Sequence, residues 1–109
     1  MSKVLYERDG RLARITLNRP EVLNAIDDDI PRELEDQIMR AQDDPRIHVV
    51  VLAGKGRAFC AGYDLTYYAE ANGSNNVTQD MPWDPMRDYA FMMRNTERFM
   101  SLFRCHLPV

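Results

Sequence analysis

The sequence predicts an α/β fold in which a β-hairpin, a crossover helix and a third strand are followed by a long second helix. Three observations carry this prediction. Val4 to Glu7 and Leu12 to Leu17 are short strand-like runs on either side of Asp9-Gly10. From about Asp27 to Asp43, Ile30, Leu34, Ile38 and Ala41 recur at three- and four-residue spacing and make one apolar stripe. Val49-Val50-Val51-Leu52-Ala53 is a β-branched apolar run of the kind that forms a strand covered on both faces.

Each element has its own local cause. Asp-Gly between two strand-like runs predicts a hairpin with a type I′ turn, positive in φ at both central residues. Pro20 stops the second strand and pushes Arg19 towards an extended conformation, and 18–24 reads as a loop. Asp27, Asp28 and Asp29 supply an N-cap and first-turn negative charge, and Pro31 is tolerated because it lies near that first turn. Asp43-Asp44-Pro45 ends the helix. A helix between two strands predicts a crossover and a parallel strand pair. Leu65 to Ala71 reads as a short helix, ended by Asn72-Gly73-Ser74-Asn75-Asn76, and a polar, turn-rich loop extends to about Pro85. Pro85 opens a second helix through about Cys105, with an apolar face expected on Tyr89, Met92 or Met93, Thr96, Phe99, Met100 and Phe103. Leu107-Pro108-Val109 leaves that helix.

At 109 residues the chain is one domain or a piece of one. Three or four strands and two long helices leave sheet edges and apolar faces uncovered, so it reads as the front part of a larger domain. Its net charge of -3 provides no basic footprint for nucleic acid or for anionic lipid. No apolar run approaches the ~20 residues of a membrane span, and Met1-Ser2-Lys3 does not open a signal peptide. The expectation is a cytoplasmic protein whose two cysteines, Cys60 and Cys105, are free thiols.

The chemistry gathers at the turn after the third strand. A glycine-bearing turn running into a helix aims free N–H groups at one point, where the helix dipole adds positive potential for an anion or a developing oxyanion. Nucleotide-binding readings of Gly54-Lys55-Gly56 fail on spacing. Position 59 is Phe where a dinucleotide fingerprint needs glycine, and Gly62 is followed by Tyr63-Asp64 where a P-loop needs Lys-Ser/Thr. The three aspartates lack the alternation of a calcium loop, and His48 and His106 have no metal-like partner spacing, so no metal site is expected. Cys60 has no evident neighbouring base and reads as a small buried thiol. Tyr67 and Tyr68 read equally as substrate contacts or as packing. Asn76-Val77-Thr78 matches a glycosylation sequon, without meaning in a cytoplasmic protein.

Arg57-Ala58-Phe59-Cys60-Ala61-Gly62-Tyr63-Asp64-Leu65 after a hydrophobic strand resembles the first signature of the enoyl-CoA hydratase/isomerase (crotonase) superfamily. Ile15-Thr16-Leu17-Asn18-Arg19-Pro20 with Leu23-Asn24-Ala25 resembles the family's second strand and following loop, so the likeness spans roughly 4–65. It implies a crotonase-like fold of ββα repeats, of which 1–109 would be the N-terminal part and 66–84 a variable region. It implies an acyl-CoA thioester as substrate, with coenzyme A part of that substrate and no separate cofactor. Tyr63 N–H would be one of two oxyanion-hole donors, and the Ala61 carbonyl would receive the adenine amino group. Gly62 would permit close backbone approach, Asp64 and Leu65 would open a helix beside the acyl chain, and Val22 and Leu23 would border coenzyme A. Glu21 stands where some members carry lysine. In the family the second donor, the acid/base carboxylates and the region that forms trimers or hexamers lie further along.

The resemblance implies hydration of a 2-enoyl-CoA in the intact relative and an inactive chain as given. The alternative is a non-catalytic family member that associates with a homologue or another protein through its sheet edge and its Met-rich helix 85–105. A third reading is a prematurely ended reading frame without function. Loop 72–84, with Trp83, is a guessed wall for the acyl pocket.

Overall fold

The computed structural model describes residues 2–70, 79 and 82–109. Its element order is β1 (Val4–Asp9), β2 (Leu12–Leu17), a 3₁₀ turn (Pro20–Val22), α1 (Asp29–Asp43), β3 (Val49–Gly54), a π-helical turn (Thr66–Glu70) and α2 (Pro85–Arg104). β1 and β2 pair antiparallel, β2 and β3 pair parallel, and the sheet order is β1-β2-β3. The crossover through α1 therefore produces the expected parallel pair.

The hairpin differs from expectation in its turn. Asp9 pairs with Leu12, so the loop is Gly10-Arg11. Gly10 has φ +60 and Arg11 is not in the positive region, which is the φ signature of type II′ rather than type I′. This register lets glycine alone take the left-handed conformation and spares an L residue that cost.

Side chains on one sheet face and on one stripe of α1 make the core. Ala13, Ile15 and Leu17 alternate inward along β2, and Val4 and Val50 join them from the flanking strands. Ile30, Leu34, Ile38 and Ala41 of α1 cover that face, as their spacing predicts. The α1 cap is narrower than expected: Asp27 Oδ1 accepts from the N–H groups of Asp29 (3.0 Å) and Ile30 (3.2 Å), while Asp28 makes no cap bond. β3 is not covered on both faces, because Val50 is buried but Val51 is 37% exposed. Its free edge is partly met by the tail, where the Pro108 carbonyl accepts from Val50 N–H at 2.8 Å.

α2 packs against α1 on a stripe that shares Phe99 with the one expected and otherwise differs from it. Phe91 and Asn95 are its buried residues, and Phe99 and Leu102 reach the core. Tyr89, Met92, Met93 and Phe103 are exposed, Phe103 by 80%. Large apolar side chains surround this helix, so periodicity alone does not choose the stripe that packs.

The short helix after Leu65 is a π-helical turn, and Ala71 lies outside the described residues. So do the Asn72–Asn76 helix stop, the sequon and most of the 72–84 loop. Among the described residues no helix is long and apolar enough to cross a membrane.

Candidate functional site

The two stretches singled out in the sequence, about forty residues apart, lie side by side. Ala61 N–H donates to the Leu23 carbonyl (3.0 Å), Ile26 N–H to the Gly62 carbonyl (2.8 Å), and Asp64 N–H to the Ile26 carbonyl (2.9 Å). Ile26 and Tyr63 thus form an isolated parallel bridge. The geometry at Tyr63 follows from peptide planarity. The Gly62 carbonyl and Tyr63 N–H belong to one trans peptide and point in opposite directions. With the carbonyl turned onto Ile26, Tyr63 N–H points away from the 23–26 segment, and it has no acceptor among the described residues.

Glycines shape the turn in two different ways. Gly62 has φ +92, and a Cβ there would meet nothing within 4 Å. Its backbone conformation, rather than close approach of other parts of this chain, is what demands glycine. Close approach belongs instead to Gly54, where a Cβ would lie 2.5 Å from the Phe59 carbonyl oxygen and 2.7 Å from that of Ala58.

Opposite this turn, the 19–27 loop is held by two polar side chains whose roles the sequence did not disclose. Asn24 is fully buried at φ +57. Its Oδ1 accepts from Arg19 N–H (2.7 Å) and its Nδ2 donates to the carbonyls of Lys55 and Ala58 (both 3.0 Å). Leu23 beside it also has φ +57, so two successive non-glycine residues are left-handed at the candidate site. Arg19 is 14% exposed; its guanidinium donates to the Ala25 carbonyl (2.5 Å), pairs with Asp64 (3.2 Å) and lies 3.6 Å from Asp27. The only sequence signal for either residue is its place in the Asn18-Arg19-Pro20 and Leu23-Asn24-Ala25 stretches.

Asp64 acts as a cap as well as an ion-pair partner. Its Oδ1 accepts from Tyr67 N–H at 3.0 Å. That backbone bond, reinforced by Arg19, holds its carboxyl below the ordinary value of 3.8 against opposing desolvation. The hydroxyls of Tyr67 and Tyr68 both donate to the Asp28 carboxylate at 3.0 Å. Burial, and then Asp28, push both phenols above their ordinary 10.0. Tyr68 also stacks edge-on with Tyr63 and Phe91, and buried Asn95 donates to the Tyr63 hydroxyl at 3.4 Å. Both tyrosines are thus tethered to Asp28, and Tyr68 is packed against aromatic rings.

The remaining predicted positions are more open. Val22 is 37% exposed, Leu65 73%, and Ala61 is exposed. Cys60 is half-buried rather than buried, and both cysteines are free thiols. Trp83 is exposed and donates to Asp88 at 2.7 Å. One hollow adjoins Tyr63 and another borders the 18–21 loop and Lys55. The first, of about 190 Å³, is walled by Tyr63, Tyr68, Phe91 and Met92. The other, about 330 Å³, lies beside Pro20 and Glu21 and is bordered by Lys3, Arg19 and Lys55. Lys3 is committed to Asp27 (2.5 Å) and Asp29 (2.6 Å), whereas Lys55 is exposed and has no ion pair among the described residues.

Residues 12–97 match the family model described as enoyl-CoA hydratase/isomerase. A probable enoyl-CoA hydratase, EchA14 of Mycobacterium tuberculosis, is 36% identical over 105 residues, covering 96% of this chain and 36% of that protein. A mitochondrial 3-hydroxyisobutyryl-CoA hydrolase of Danio rerio is 39% identical over 77 residues, covering 70% of this chain and 20% of that protein. The crystal structure of an enoyl-CoA hydratase from Mycobacterium smegmatis superposes with a TM-score of 0.83 at 45% identity, covering 99% of this chain and 38% of that one. The chain therefore spans little more than a third of the length of the hydratase relatives.

Proposed function

The chain belongs to the enoyl-CoA hydratase/isomerase family, and from that premise we propose that its 23–26/61–64 bridge binds an acyl-CoA thioester and polarises its carbonyl. Tyr63 N–H is the donor, and the observation that carries this is its orientation: a backbone N–H turned outward from a paired segment, without an acceptor among the described residues. Such a fixed donor is complementary to the oxygen of a thioester as negative charge develops on it, and removing one typically costs ~10²–10³ in rate. Ala61 lies on the same segment for the adenine contact, with Val22 and Leu23 across the bridge. Gly62 supplies the φ the turn needs; Asp64 and Leu65 start the helical turn beyond it. Exposed Lys55, at the rim of the larger hollow, suits the phosphates of coenzyme A.

In the intact relative the reaction is hydration of a 2-enoyl-CoA, in which the thioester oxygen carries enolate charge. A second reading, hydrolysis of a hydroxyacyl-CoA, is favoured by the similarity to the Danio rerio hydrolase; it too builds charge on the thioester oxygen. Following the family pattern, the second donor and the proton-transferring carboxylates are assigned outside this stretch, and these 109 residues alone do not turn over. The test is titration with a 2,4-dienoyl-CoA, whose conjugated thioester absorbs away from adenine. Saturable binding with a red shift is expected, because a hydrogen bond to the carbonyl draws charge along the conjugated system. Binding without a red shift refutes the donor assignment, and measurable hydration of 2-butenoyl-CoA by the purified chain refutes the inactivity.

A further inference from the structure

Arg19 contacts its own loop at Ala25 and Asp27 and the turn at Asp64, yet one of these contacts lies in line with the candidate donor. The guanidinium Nη1 donates to the Ala25 carbonyl at 2.5 Å. That carbonyl shares a peptide plane with Ile26 N–H, which donates to the Gly62 carbonyl at 2.8 Å. The Gly62 carbonyl in turn shares a peptide plane with Tyr63 N–H, which points outward. The result is a directed series: guanidinium N–H to carbonyl, N–H to carbonyl, and a terminal free N–H. Every bond runs the same way, so each polarises the next.

We propose that Arg19 is a positioning residue for the Tyr63 amide, orienting it and strengthening it as a donor through two peptide units. Three features support this. The guanidinium is 14% exposed, so its charge acts in a medium of low dielectric. Hydrogen bonds in series strengthen one another, by about 10–30% per bond in condensed-phase estimates. The guanidinium is held from another side by the ion pair to Asp64 at 3.2 Å, and the Arg19 backbone is fixed by Asn24 Oδ1, which accepts from its amide N–H at 2.7 Å. Asp64 and Asp27 are the acidic groups facing it and the series bonds none of their oxygens, so beyond the guanidinium it runs through backbone groups.

The inference rests on the assignment of Tyr63 N–H as thioester donor, and the experiment separates the two. The chain, Arg19→Lys and Arg19→Gln are each saturated with the dienoyl-CoA, and affinity for coenzyme A alone is measured in parallel. Expected is a red shift in the parent, at least halved in Arg19→Gln and mostly retained in Arg19→Lys. Affinity for coenzyme A should stay within threefold in both. A structural role alone would lower affinity and leave the shift per bound ligand unchanged. A full red shift in saturated Arg19→Gln overturns the relay and leaves the donor assignment standing; no red shift in the parent overturns both. A measurement on the parent covers the case in which the variants do not fold. The Ile26 amide proton should move further downfield on saturation with the dienoyl-CoA than with coenzyme A, and equal movement overturns the relay.

Discussion

Replacing Asn24 with alanine should cost about 3–5 kcal/mol of folding stability, a large share of the ~5–16 kcal/mol expected for a chain of this length. The figure comes from two local effects. Asn24→Ala deletes three side-chain hydrogen bonds, to Arg19 N–H and to the carbonyls of Lys55 and Ala58, each worth about 0.5–1.5 kcal/mol net. It also puts an alanine at φ +57, a conformation that costs an ordinary L residue roughly 1–2 kcal/mol and asparagine less. Asn24→Gly removes the same bonds without the backbone penalty, so it should be less damaging by about 1 kcal/mol. Urea unfolding followed by far-ultraviolet circular dichroism measures both, with equal m-values required for the comparison. An Asn24→Ala variant within about 1 kcal/mol of the parent would show that the clamp is not energetically coupled to the fold. A glycine variant no better than alanine would refute the backbone part of the argument.

Other outcomes follow from the same geometry. Phe91→Ala should destabilise by about 3–5 kcal/mol, whereas Phe103→Ser should stay within ~0.5 kcal/mol, because Phe91 is 4% exposed and Phe103 80%; thermal melts of the pair test which stripe of α2 packs. Gly54→Ala should damage the fold more than Gly62→Ala, since the first meets backbone oxygens at 2.5 and 2.7 Å and the second meets only strain; comparative urea midpoints decide this. Asp29 and Asp64 have carboxyls held below 3.8, Asp29 chiefly by Lys3 and Asp64 chiefly by the Tyr67 N–H. A folded carboxyl that releases its proton more readily than the unfolded one contributes stability that is complete above the unfolded value. That stability is lost as pH falls through the folded value, so melts should decline on acidification below about pH 4, with a shallower decline in Asp64→Asn. Tyr67 and Tyr68 titrate above 10.0, so their stabilising contribution is complete below the unfolded value and lost as pH rises through the folded one. Phenolate absorbance should report both as late to ionise in the folded chain, and Asp28→Asn should bring them forward.

The order of elements was legible because each has a local cause. Alternation along Leu12–Leu17 matches the pleat, the Ile30-Leu34-Ile38-Ala41 spacing matches the helical repeat, and Asp27 and Pro20 stop or start the chain whatever surrounds them. The Ala61-Gly62-Tyr63-Asp64 turn was legible for the same reason, as glycine is the residue that tolerates φ +92. The α2 stripe was legible only at Phe99, because apolar side chains all round a helix leave the choice to whatever packs against it. That choice buried Asn95 and left Tyr89 and Phe103 in solvent.

The residues that hold the site were hidden for a related reason. Arg19, Asn24 and Asp28 are ordinary loop residues until 61–68 is folded onto 19–28, and polar side chains carry no periodic signal of their partners. Local sequence therefore determined the strands, the first helix, the glycine turn and, through its resemblance, the family. Folding alone determined that Tyr63 N–H faces away from its neighbours and that a guanidinium stands two peptide units behind it. Hydrogen-bond direction is a property of peptide planes brought together across long sequence separations, and no run of consecutive residues encodes it.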